Sequence, residues 1–158
     1  GSGANACLIL DPEVLSDQLV PMPADSPPLE LEARITTWIP KKDAVTKNQK
    51  PAFFDDDQYW DLPDAATDSV DFTTKLGSVP AWLQSPSEAP GEGWVFVGQL
   101  SDSYQFLEQP TSPIDIFWDE SENTWICEGP NFGDGGIGYI FLRFGADQPE
   151  GWFFWQCG

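Results

Sequence analysis

A glycine-rich turn that runs straight into an apolar segment constrains this chain more than any other stretch. It spans Asn131 to Phe144, NFGDGGIGYIFLRF. Gly133, Asp134, Gly135 and Gly136 read as a tight turn, because glycine takes positive φ at no steric cost and Asp is a usual polar companion there. Ile137 to Phe144 then brings the strand formers Ile, Tyr, Phe and Leu, with no charged side chain before Arg143. The pattern predicts a structural turn feeding a central, largely buried strand. The functional alternative is a phosphate cradle, but the glycine spacing fits neither a P-loop nor a dinucleotide fingerprint. Phosphate loops also open a helix rather than a strand.

A central strand needs neighbours, and the rest of the chain supplies candidates. Trp94–Leu100, Ile114–Trp118, Thr124–Cys127 and Trp152–Cys157 all read as strands, the middle two as a hairpin around Glu120 to Asn123. A turn over Gly145 to Gly151 separates the central strand from the last one. Short connections between successive strands predict an antiparallel meander. Trp152, Phe153, Phe154 and Trp155 leave no polar face, so the last strand is expected to be covered on both sides.

The first half is read more sparsely. Ala6–Leu10 reads as a short strand and Pro12–Val20 as a short helix capped by Asp11. Pro21, Pro23, Pro27 and Pro28 enforce an extended connection. Leu29 to Ile35 alternates apolar with polar residues, the signature of a half-buried strand. Lys41, Lys42, Lys47 and Lys50 form a basic cluster, read as a solvated loop. The expected fold is α+β: one strand-rich domain over residues 1–158, with the meander in its C-terminal half and few short helices. Gly1-Ser2-Gly3 is expected to be a cloning remnant.

Charge sets the class of partner. The chain carries 26 acidic against 7 basic residues, a net charge of −19. Such a field repels nucleic acid and anionic membranes, so neither is expected as a partner, and it attracts basic proteins. Histidine is absent, which removes the commonest general base and every Ser-His or Cys-His nucleophile. Cys7, Cys127 and Cys157 lack metal-ligand spacing, and their odd, sparse number suits a reducing compartment. A cytoplasmic location is the expectation, with no cofactor.

The densest acidic stretch holds Asp55, Asp56, Asp57, Asp61 and Asp64, with Tyr59 and Trp60 inside it. A solvated loop is its plainest reading. Carboxylates also bind Mg²⁺ or Ca²⁺, but the EF-hand pattern of Gly and Glu is missing, so no metal site is assigned. Aromatics among acids make a better protein-binding surface than acids alone, since they supply desolvated anchors. These seven residues are therefore the candidate partner-binding set.

Three motifs in order carry a family resemblance. Lys75-Leu76-Gly77-Ser78-Val79-Pro80-Ala81-Trp82-Leu83-Gln84, Phe96-Val97-Gly98-Gln99-Leu100-Ser101-Asp102-Ser103, and Gly133-Asp134-Gly135-Gly136-Ile137-Gly138-Tyr139-Ile140-Phe141 resemble the bacterial YwqG-like family over residues 72–158. Ser78 stands where that family usually has a second glycine, Ser101 precedes Asp102 where it often has Asp-Ser, and Gly135 replaces alanine. The resemblance implies a strand-rich α+β fold and, by the setting of some members, a place beside toxin and immunity genes. It brings no catalytic residues. The functional expectation is a non-enzymatic acidic binding module, and more narrowly an immunity protein against a basic toxin. The competing expectations are a hydrolase with an oxygen-ligated metal held by the Asp55–Asp64 cluster and Asp134, and a small-ligand or scaffold domain.

Overall fold

The expected inner strand forms as Ile137–Phe144 and has strands on both sides. In the computed structural model, which describes residues 7, 9, 35–106, 108–109, 116–121, 123–145 and 148–158, seven strands are found among the described residues. They are β1 (Lys75–Leu76), β2 (Val95–Ser101), β3 (Ser103–Phe106), β4 (Ile116–Asp119), β5 (Thr124–Glu128), β6 (Ile137–Phe144) and β7 (Pro149–Gln156). The readings made for Ala6–Leu10, Pro12–Val20, the proline-rich connection and Leu29–Ile35 lie outside the described residues, apart from Cys7, Ile9 and Ile35.

The fold is α+β, with two antiparallel sheets and a small helical part. The four larger predicted strands do not share one sheet. β1, β2, β6 and β7 form one sheet in that order, and β3, β5 and β4 form the second. The hairpin expected around Glu120 to Asn123 is present as β4–β5, with Asn123 at φ 51°, a conformation Asn tolerates. The turn at Ser101 to Ser103 is what splits the structure. β2 ends at Ser101, β3 begins at Ser103, and the chain passes from one sheet to the other.

In the four-stranded sheet, Phe96, Phe141 and Trp152 are cross-strand partners in one row, and Gln99, Tyr139 and Phe154 in the next. Period-two alternation along β6 and β7, with the irregularity between Phe96 and Gly98 on β2, puts both rows on one face. Trp82 packs onto that face with Phe96, Ile137, Tyr139, Phe141 and Phe154 as one core cluster. A second cluster of Phe53, Val70, Val79 and Ala81 adjoins it through Phe54 and Tyr59. The opposite face is only partly covered. Phe153 and Trp155 on it are half-buried, and on the covered face Trp152 is still 47% exposed, so β7, last in the order of this sheet, is not sealed on both sides. It also starts earlier than expected, at Pro149.

Gly98 and Gly133 are among the positions where close approach or backbone conformation requires glycine. A Cβ on Gly98 would lie 2.4 Å from the Lys75 carbonyl oxygen, so β1 could not sit against β2. Gly133 has φ +96°, as the turn reading demanded, and a Cβ there would meet Cys157 at 2.8 Å. The three thiols are free.

Candidate functional site

The acidic stretch folds as three short helical turns: a 3-10 turn at Lys50–Phe54, α1 at Asp56–Tyr59 and α2 at Asp64–Thr67. Asp55 caps α1. Its carboxylate accepts the Gln58 backbone N–H at 3.0 Å and the Gln58 side-chain amide at 2.9 Å. An acceptor at this position satisfies a helix N–H that has no partner within the helix. Asp55 is thus partly spent on structure, while Asp56, Asp57, Asp61 and Asp64 face solvent.

The two aromatics of the stretch divide their roles. Tyr59 packs edge-to-face on Phe53 at 5.7 Å, and burial pushes its phenol pKa up. Trp60 stands 67% exposed, held edge-to-face against Tyr59 at 5.3 Å. Phe53 in turn fixes the segment to the core, since its carbonyl accepts the Trp82 indole N–H at 2.6 Å. The result is a bare indole rising from an anchored base, with carboxylates on either side in sequence.

The glycine turn behaves as a turn, with one change in who serves it. Asn131 Oδ1 accepts the Gly133 N–H at 2.9 Å, which makes Asn131 the Asx residue. Asp134 contributes its backbone carbonyl to the Gly158 N–H at 3.0 Å, and its side chain is exposed along with Gly133 and Gly135, while Gly136 is buried.

Positive charge is scarce, and Arg143 and Lys41 are both engaged. Between Lys75 and Arg143 the sequence has no basic residue. The Arg143 guanidinium lies 4.7 Å over the Trp94 ring and pairs with Glu150 at 2.6 Å. Lys41, in the loop read as solvated, pairs with Asp71. Burial raises the Asp71 carboxyl, but hydrogen bonds from Lys41 and Thr73 outweigh it and hold the group below its ordinary pKa. Lys75, the first residue of the ten-residue motif, was not singled out from sequence. It is half-buried on β1, and burial drives its ammonium pKa down to about 8 despite Asp71 and Asp43 nearby. Its place at the head of an apolar run was the one local hint.

Among the described residues no group of three or more His, Cys, Asp or Glu side chains is arranged to hold a metal ion. No helix among them is long and apolar enough to cross a membrane. Comparison of the chain with family models, with curated proteins and with solved structures gives no match.

Proposed function

We propose that this chain is a non-enzymatic acidic binding module whose partner is a basic protein. The observation that carries the reading is Trp60, 67% exposed in a run of solvent-facing carboxylates. Tryptophan is among the residues most enriched at interface hot spots, where its desolvated ring anchors the contact. Asp56, Asp57, Asp61 and Asp64 supply the field that speeds encounter with a cationic surface. More narrowly, the YwqG-like resemblance supports an immunity role, neutralising a basic toxin in the cytoplasm.

The test is binding kinetics against a basic polypeptide, with polylysine as the first probe and any basic product of a neighbouring gene as the second. Asp56→Asn with Asp57→Asn is expected to slow association and flatten its salt dependence, with little change in dissociation. Trp60→Ala is expected to speed dissociation by a factor of about thirty, equivalent to about 2 kcal/mol. A Trp60→Ala protein that melts normally and binds as wild type would overturn this surface.

A further inference from the structure

We propose that Lys75 is a carbonyl-capture site, whose side-chain amine condenses with a small neutral aldehyde to form a Schiff base. Its place in the sheet carries the inference. Lys75 on β1 is the cross-strand partner of Gln99 on β2, and such partners share a face. Gln99 is fully buried on the covered face, and Lys75 beside it is half-buried, whereas the next residue, Leu76, is 60% exposed. The backbone on either side of Lys75 is fixed. The Thr74 hydroxyl accepts the Ser101 N–H at 3.0 Å, and the Gly77 N–H donates to the Val97 carbonyl at 2.7 Å.

The amine stands among charges that are already engaged. Asp71, Asp43 and Lys41 are the charged groups that act on it. Asp71 pairs with Lys41 and accepts the Thr73 N–H at 2.9 Å, while Asp43 accepts the Ser78 hydroxyl and, at 3.2 Å, the Val45 N–H. Among the described residues the Lys75 amine itself has no hydrogen-bond or ion-pair partner. No buried side-chain nitrogen among them is left without one, so this unbonded amine reaches solvent. Burial brings its pKa to about 8, so at pH 7 about a tenth of it is the neutral nucleophile, against under a thousandth for an ordinary lysine. Desolvated lysines of this kind are the ones that form Schiff bases with carbonyl compounds.

The step balances without a further reagent. The neutral amine adds to the carbonyl carbon, and the carbonyl oxygen leaves as water with both amine protons. The product is an uncharged C=N group, which burial does not penalise. Asp71 and Asp43 oppose an anionic electrophile, so the aldehyde is a neutral one. None of the acidic-stretch residues takes part, so this site and the Trp60 surface can fail separately.

The probe is propanal at limiting concentration with cyanoborohydride, which traps each Schiff base as a secondary amine, followed by peptide mapping of the whole chain. At pH 7 Lys75 is expected to be labelled about ten-fold faster than Lys42, Lys47 or Lys50. Raising the pH to 10 should narrow that lead, because the other amines then deprotonate as well. Unfolding in guanidinium should abolish it, since the fold creates the difference. Glyoxylate in place of propanal should lower the ratio of Lys75 to Lys47 label. Even labelling of these lysines in the folded chain at pH 7 would overturn the proposal. So would a lead that persists in the unfolded chain or does not change with pH. An unchanged ratio with glyoxylate would reject a neutral aldehyde as the class captured.

Discussion

The Tyr139 hydroxyl donates to the Ala81 carbonyl at 2.8 Å and accepts the Leu83 N–H at 3.2 Å. These bonds belong to a wider arrangement, in which side chains of the sheet satisfy a segment that has no regular structure. Gln99 Oε1 accepts the Ala81 N–H at 2.9 Å, and Gln156 Oε1 accepts the Gln84 N–H at 3.1 Å. Gln156 Nε2 donates to the Ser85 carbonyl at 2.7 Å. One residue from each of β2, β6 and β7 therefore clasps the stretch from Ala81 to Ser85 across the covered face. Buried backbone groups outside helices and strands must find such partners or be lost to desolvation.

Removing a clasp should cost more than its hydrogen bonds alone. Tyr139→Phe keeps the ring but leaves the Ala81 carbonyl and Leu83 N–H without their partner, and about 1–3 kcal/mol of stability should go. Gln99→Leu should cost more. It orphans the Ala81 N–H and the Asp71 and Thr73 carbonyls, which Gln99 Nε2 serves at 3.1 Å each. Urea unfolding of both variants checks the order.

Phe141 is the packing centre of the larger sheet. It is 2% exposed and contacts the rings of Phe54, Phe96 and Phe154. Phe141→Ala should lose about 3–5 kcal/mol, and Phe141→Asp should not fold, since it buries an unpaired carboxylate. A melting temperature near wild type for the Asp variant would show that β6 is not central.

Ser78 holds φ 61°, in the left-handed region that favours glycine. Its hydroxyl donates to the Asp43 carboxylate, a bond that ties the motif to the loop before it. Ser78→Ala loses the bond and keeps the strain, whereas Ser78→Gly loses the bond and relieves it. The Gly variant should therefore be the more stable of the two by about 1 kcal/mol. The reverse order in thermal melts would show that the backbone there is unstrained.

Lys75 predicts a pH dependence. Burial lowers its folded pKa from 10.5 to about 8, so between those values the unfolded chain holds a proton that the folded chain has released. Stability from this group rises with pH across that window, and the full penalty is present below it. Lys75→Met should melt above wild type at neutral pH, with the gap closing toward alkaline pH. Thermal melts of both proteins from pH 7 to 10 check this, and a constant gap would contradict it.

Asn131 and Asp134 separate a turn residue from a bystander. Asn131→Ala removes the acceptor of the Gly133 N–H and should cost about 1 kcal/mol, as the loss of a cap does. Asp134→Ala alters an exposed side chain and should stay within about 0.5 kcal/mol of wild type. Chemical unfolding distinguishes the two.

By itself the sequence determined what is local. Period, turn chemistry and β-branched or aromatic runs placed β2, β5 and β6 to within a residue or two, and also the β4–β5 hairpin. These depend on neighbours a few positions apart. The acid count likewise set the sign of the molecule's field before any fold was known. Tertiary structure decided which strands pair. A single turn at Asp102 sends the chain into a second sheet, and no local pattern encodes that choice. It also decided the roles of residues that look alike in the sequence. Tyr59 turns inward and Trp60 outward although they are adjacent, because Phe53 lies on one side of a four-residue helix and solvent on the other. Asp55 is spent on a cap while Asp56 and Asp57 are not, since only the residue before the first turn can reach its free N–H. Lys75 lost its ordinary pKa, and Gln99 and Gln156 became buried clasps, through contacts with residues far along the chain. Burial and pairing are properties of packing, and packing is set by pairs of segments rather than by either one.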